Sequence, residues 1–210
     1  MYGAIQRINP CERSKKDRSL LKMEQEILIA LGANLPQSHN RPSDTLKAAI
    51  TAIGQSTLTL KAVSRFFKTP CFPPGAGPDY INAVIRLRAN KGEKASQILA
   101  ILHEIEEEYG RTRDVRWGMR TLDLDLLSYG NQVAPSRDDY LYWQQLPADE
   151  QTVRAPESLI LPHPRIQDRG FVLVPAMDVA PDWCHPVLKL TISQMCAALP
   201  QEARDEVVPI

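Results

Sequence analysis

Apolar residues recur along the chain with two periods, and the period switches from segment to segment. Ile27–Leu31 is a short apolar run that reads as a strand, followed by a turn-rich Gly32-Ala33-Asn34 step. Leu46, Ala49, Ile50 and Ile53 then fall at helical spacing, predicting a helix capped by Ser43 or Asp44 and ended by Gly54. Leu58–Phe67 and Ile81–Leu87 alternate with period two, the second through Ile81, Ala83, Ile85 and Leu87, and predict strands. Ala95–Tyr109 is the clearest amphipathic helix, with Ile98, Ile101, Leu102, Ile105 and Tyr109 on one face and Gly110 as its stop. Thr121–Ser128 predicts another strand, and a last helix is expected from a Thr191 cap through Ile192, Met195 and Leu199. Strands alternating with amphipathic helices place the chain in the α/β or α+β class, around one sheet.

Three stretches fall outside this rhythm. Residues 1–26 are polar and basic without periodicity, so a disordered tail is expected ahead of a single domain over 27–210, with Met23 as an alternative start of translation. Thr69–Asp79 holds four prolines and two glycines in eleven residues, which excludes helix and central strand and predicts an exposed, partly pre-shaped loop. Residues 132–158 are polar and aromatic and read as an insertion carrying one short helix, with no role legible in the sequence.

Composition narrows the function. The 210 residues are 43% hydrophobic, enough for a real core, and 25 Lys+Arg balance 25 Asp+Glu. Zero net charge argues against a general nucleic-acid binder or an anionic-membrane binder, so any anion must be held by a local positive cluster. No run is apolar enough to span a membrane, and residues 1–26 lack the apolar run expected of a secretory signal. Cys11, Cys71, Cys184 and Cys196 are scattered without C-x-x-C spacing, so neither a zinc ribbon, a thioredoxin-type motif nor a disulfide framework is expected. A reducing cytoplasm is the expected location.

The local cluster exists. Arg111, Arg113, Arg116 and Arg120 lie within ten residues, and Asp123 and Asp125 follow at once. Alternation along a strand puts both carboxylates on one face while Leu122, Leu124 and Leu126 point into the core. Paired carboxylates suit a hard divalent cation such as Mg²⁺, which keeps several waters and takes substrate phosphates, and arginines neutralise the oxygens the metal does not reach. Either feature alone reads as solvated charge; together they point to phosphoryl-type transfer. Arg169 and Phe171 offer a further anion contact and a flat stacking face. Tyr80 and Asn82, at the exit of the Pro/Gly loop, offer a second face and an amide matched to a heterocycle's edge. His163, between two prolines, reads on its own as structural. No phosphate-cradling G-x-x-x-x-G-K-[ST] loop occurs. Two other readings stand beside this one. A two-metal nuclease or nucleotidyl transferase would use the same aspartates but lacks a third evident carboxylate. A non-enzymatic RNA-binding module would need a basic sheet face.

The strings Leu-Gly-Ala-Asn34, Pro-Asp-Tyr-Ile-Asn82, Arg-Trp-Gly-Met-Arg-Thr-Leu-Asp-Leu-Asp125 and Leu-Pro-His-Pro-Arg165 with Arg-Gly-Phe-Val-Leu173 occur in the order and rough spacing of one family. The chain resembles the 6-hydroxymethyl-7,8-dihydropterin pyrophosphokinases from about Ile27 to Leu199, the 132–158 insertion excepted. The resemblance implies a ferredoxin-like α+β sandwich, mainly an antiparallel sheet with helices packed on its faces. It implies transfer of the β,γ-diphosphate of ATP to the pterin hydroxymethyl oxygen, releasing AMP. Asp123 and Asp125 would bind two Mg²⁺ ions, and Arg111, Arg113 and Arg120 would act in catalysis. ATP would meet Glu106, Arg111, Arg116, Trp117, Arg120, His163 and Arg169. The pterin would meet Thr69, Pro70, Phe72, Tyr80, Asn82, Trp117 and Phe171. Met119 stands where many members have proline. The expected partners are these small molecules alone, with neither nucleic acid nor membrane, and the protein is expected to be a monomer.

Overall fold

The computed structural model describes residues 25–36, 40–71, 75, 77–90, 92–109, 121–147, 150 and 153–210. The expected tail up to residue 24 and the basic loop over 110–120 lie outside the described residues, as do Phe72 and Gly110.

The strands are β1 (Gln25–Ala33), β2 (Thr59–Val63), β3 (Phe67–Thr69), β4 (Tyr80–Ala89), β5 (Asp123–Tyr129) and β6 (Val208–Pro209). They form one sheet in the order β5-β1-β4-β3-β6, with β2 pairing β4 beside β3, and every pairing is antiparallel. Helices α1 (Pro42–Gln55), α2 (Ala95–Glu108), α3 (Arg137–Gln144), α4 (Gly170–Val179), α5 (Ile192–Ala198) and α6 (Gln201–Asp205) connect and cover it. The ferredoxin-like α+β sandwich is therefore the fold observed.

Alternation along β1 divides the core. Ile27, Ile29 and Leu31 face α1 and α2, where Leu46, Ile53, Ile98 and Leu102 complete a cluster in which all are essentially fully buried. Leu28 and Ala30 face the other way, against Val172, Leu173 and Ala176 of α4 and Ile192 and Met195 of α5. Each element must bury its apolar stripe, so a helical layer is required on both faces.

Several boundaries differ from expectation, each for a local reason. Gly32 and Ala33 continue β1, because their backbones pair with Asn82 and Ile81. Helix α1 starts one residue before Ser43: Arg41 is its cap, without a side-chain bond, and Pro42 occupies the first turn, where its missing N–H costs nothing. Gly54 is inside that helix, which ends through Ser56 N–H bonding to Ile53 C=O. The strand expected over 58–67 is two strands, separated where Ser64 breaks the ladder by bonding through its hydroxyl to Arg65 C=O and from Val84 N–H. The Pro/Gly loop is less exposed at its start than expected: Thr69 belongs to β3, and both it and Cys71 are buried. Gln25 and Glu26, assigned to the tail, already pair in β1. The Thr191 cap is confirmed, its side chain and Gln194 forming a reciprocal capping box. Helix α6 and strand β6 then follow what was expected to be the last helix. Cys71 and Cys196 are free thiols, whereas Cys184 is disulfide-bonded, a link that its spacing did not predict.

Helix α3 is the short helix expected in the insertion, and one contact anchors it. Tyr140 is fully buried with Ile160 and Val187. Its hydroxyl lies 3.0 Å from His185 Nε2. His185 Nδ1 accepts from the N–H groups of Val187 and Leu188 at 3.2 and 3.1 Å. The ring proton therefore sits on Nε2 and is donated to Tyr140. Burial, with the Lys189 charge adding to it, drives the histidine down to about 4. The unfolded chain takes up a proton below its ordinary 6.5, while the native ring refuses one until about 4, so stability rises with pH across that window. The share of His185 in the loss of stability from pH 7 to pH 5 should be about 2 kcal/mol in urea unfolding. The total loss should shrink by that amount in His185→Gln, leaving what other groups contribute; an undiminished loss in that variant would assign it to those groups.

Candidate active site

Strand β1 lies between β4 and β5, and Gly32 pairs with Asn82 on one side and Asp123 on the other. Partners across a ladder share a face, so Asn82, Gly32 and Asp123 form one row and Val84, Ala30 and Asp125 the next. A Cβ at Gly32 would lie 3.0 Å from Asn82 Oδ1. The missing side chain thus leaves a trough between an amide and a carboxylate. Helices α4 and α5 cover the Leu28 end of this face; at the Gly32 end a cleft of 840 Å³ opens and runs over the β5 edge.

Nine residues expected from the sequence line this cleft: Thr69, Pro70, Tyr80, Asn82, Asp123, Asp125, His163, Arg169 and Phe171. Thr69 and Asn82 are buried, and Asn82 Nδ2 donates to Thr69 Oγ1 at 2.8 Å, which fixes the amide with its oxygen toward Gly32. Asp123 and Asp125 alternate with buried Leu122, Leu124 and Leu126, as the period-two reading requires. Arg169 Nη1 reaches Asp125 Oδ2 at 3.2 Å while its guanidinium lies 5.6 Å from the Phe171 ring centre. This places a cation, a carboxylate and an aromatic face side by side. The His163 main-chain N–H bonds to Leu127 C=O at 2.8 Å, and its Nδ1 accepts from Arg165 N–H at 3.1 Å. Burial, and then the Arg169 charge, hold its pKa well below the usual histidine range. His163 is thus a neutral imidazole carrying its proton on Nε2, a hydrogen-bond donor without charge.

Glu106 is placed differently from expectation. It does not line the cleft; it is 1% exposed, and its Oε1 accepts from Leu124 N–H at 2.7 Å. The carboxylate sits beneath β5, where it fixes the strand between the two aspartates rather than facing solvent. Arg111, Arg113, Arg116, Trp117 and Arg120 lie outside the described residues, like Phe72. The cleft also has walls that sequence reasoning missed: Leu99 and His103 from α2, Trp143 from α3, Arg154–Ile160 and Arg165. Arg165 follows the Pro-His-Pro string directly and could have been read with it, whereas nothing near Trp143 marks it as a cleft residue.

The donor set bears on a metal. Among the described residues no group of three or more His, Cys, Asp or Glu side chains gathers as a closed cage. Two adjacent carboxylates opening to a cleft fit a hard, oxygen-seeking cation that completes its shell with water and phosphate, and do not fit a closed structural site.

An antiparallel α+β sandwich whose sheet edge presents paired carboxylates, an arginine and two aromatic faces to one cleft defines an enzyme that handles an anionic, partly flat ligand. Residues 28–181 match the model of the 7,8-dihydro-6-hydroxymethylpterin-pyrophosphokinases, and the chain belongs to that family. It is 37% identical over 159 residues to a 2-amino-4-hydroxy-6-hydroxymethyldihydropteridine pyrophosphokinase of Haemophilus influenzae, covering 75% of this chain and 83% of that one. It is 34% identical over 169 residues to a protein of the same description from Synechocystis, covering 80% and 73%. The fold matches a solved chain of Plasmodium falciparum HPPK-DHPS, wild type, with a TM-score of 0.56 at 13% identity. That match covers 83% of this chain and 44% of the solved one, so this chain spans less than half its length.

The contact beneath β5 is testable. Glu106→Ala leaves the buried Leu124 N–H without its acceptor and should cost about 1–3 kcal/mol in urea unfolding. Glu106→Gln, which keeps an acceptor, should cost less; equal losses would show that the Leu124 contact is not the source.

Proposed function

We propose that this cleft carries the reaction of the family: transfer of diphosphate from ATP to the hydroxymethyl oxygen of 6-hydroxymethyl-7,8-dihydropterin, releasing AMP, within folate biosynthesis. The observation that carries the reading is the row Asn82, Gly32 and Asp123, which sets an amide suited to a heterocycle's edge beside a carboxylate suited to a cation. The pterin fits the β3–β4 end, its ring between Tyr80 and Phe171 and its polar edge on Asn82, with Thr69 and Pro70 closing the side. Asn82 needs no reorientation to do this, because Thr69 already holds it. The hydroxymethyl group then points along the trough toward Asp123 and Asp125.

In the reaction the hydroxymethyl oxygen bonds to the β-phosphorus of ATP and gives up its proton to water, as the bond from that phosphorus to the α-phosphate bridging oxygen breaks and AMP departs. Asp123 and Asp125 would hold two Mg²⁺ ions, which neutralise charge on the phosphates in the in-line transition state. The chain's own groups do the rest. Arg169, already beside Asp125, and the neutral Nε2–H of His163 bind phosphate oxygens. A neutral donor at that place orients without trapping the product by charge. Arg111, Arg113, Arg116 and Arg120 are assigned to the triphosphate, and Trp117 to both substrates, by their place in the family's string. We read residues 25–210 as one domain with 132–158 inserted, acting as a monomer in the cytoplasm. Among the described residues no helix is long and apolar enough to cross a membrane.

Incubation with Mg²⁺, ATP and 6-hydroxymethyl-7,8-dihydropterin should yield pterin-dependent AMP and no ADP. Asp125→Ala should lower the rate roughly a thousand-fold, the several kcal/mol that metal charge stabilisation supplies. Formation of ADP would mean single-phosphoryl transfer and refute the diphosphate reading. Gly32→Val projects methyl groups between Asn82 and Asp123, so KM for the pterin should rise about ten-fold or more while KM for ATP moves less. Equal rises would show that the trough is not where the pterin lies.

A further inference from the structure

The inserted segment is a wall of the cleft, and its position follows from backbone bonds. Ala134 and Leu161 exchange two main-chain hydrogen bonds, at 2.9 and 3.0 Å, so the insertion begins and ends at one place. His163 N–H bonds to Leu127 C=O, which puts this chain along the side of β5 away from β1. The pterin-side residues Thr69, Tyr80 and Asn82 belong to β3 and β4, beyond β1. The two carboxylates lie between. A diphosphate transfer brings its two substrates together at the carboxylates from opposite sides, so the nucleoside falls against the inserted wall.

The chemistry of that wall suits a base better than phosphate. The Arg154 guanidinium lies 5.4 Å from the Tyr142 ring centre and 5.9 Å from that of Trp143. Its Nη1 is 2.9 Å from Glu150 Oε2, so a carboxylate four residues away offsets its charge. Guanidinium and indole together offer flat surface of little net charge, and both stack on heterocycles. Arg169, by contrast, stands at the carboxylates, where phosphate belongs.

We propose that Trp143 and Arg154, among the described residues of the inserted segment, form the base-stacking wall of the nucleotide subsite. The inference rests on the diphosphate-transfer reading, which sets which substrate lies on which side. Its test does not need turnover. Calorimetry on the full chain with Mg²⁺ would compare an α,β-methylene analogue of ATP with inorganic tripolyphosphate, in the unaltered protein, Trp143→Leu and Arg154→Gln. Each substitution should weaken the analogue about ten-fold, the usual scale for one base on one flat side chain, and leave tripolyphosphate within about two-fold. Equal weakening of both probes, or no change in either, would overturn the proposal. Should Trp143→Leu lower the melting temperature, Arg154→Gln decides alone, since its side chain is 47% exposed and its loss leaves no buried gap. Pterin-dependent AMP formation by the unaltered protein tests the transfer reading separately, so failure of either is seen without the other.

Discussion

Two carboxylates held side by side repel each other, and much of the molecule answers to that constraint. Asp123 and Asp125 share a face because β5 is a strand, and they cannot relax apart because the strand cannot move. Leu122, Leu124 and Leu126 are buried beneath it, and Leu124 N–H is bonded to a buried Glu106. A third carboxylate, that of Glu106, is close by. It lies on the opposite side of the strand, and there it accepts a backbone donor that the edge of the sheet would otherwise leave unmet. On the cleft side Arg169 supplies the compensating charge. The site therefore sets a fixed negative pair beside the Arg169 guanidinium, an arrangement that welcomes further cations and then anions.

Much of this was legible in the chain. The alternation of Asp123, Asp125 and their leucines gave the face of each residue before any coordinates, and helices α1 and α2 show the apolar faces their spacing foretold. What escaped was set by contacts distant in sequence. Gly32 looks like a turn residue locally and is a strand residue because both neighbours bond to it. Glu106 sits in a run of three glutamates, and only packing against β5 distinguishes it from the exposed Glu107 and Glu108. The placement of 132–158 was hidden because Tyr140, fully buried, meets a histidine forty-five residues later. Six expected site residues, all but one in the Arg111–Arg120 string, rest on sequence alone.

Helix α3 and the strands make complementary use of aromatic residues. In the β3–β4 half of the cleft, Tyr80 and Phe171 stand on separate elements, β4 and α4. On the α3 side, Tyr142, Trp143 and Arg154 pack on one another and present a finished surface. The first pair of faces is set by two elements brought together by the fold; the second is one continuous surface.

Gly170 opens helix α4 between Arg169 and Phe171, and a Cβ there would collide with the carbonyl oxygen of Ala203. The backbone that carries the cation and the aromatic face is thus pressed against helix α6, with buried Val207 beside it. Chain that never enters the cleft works as its backstop. A protease cut or a bulky tag beyond residue 200 would act on this site at a distance, and would pass for a substrate-binding defect.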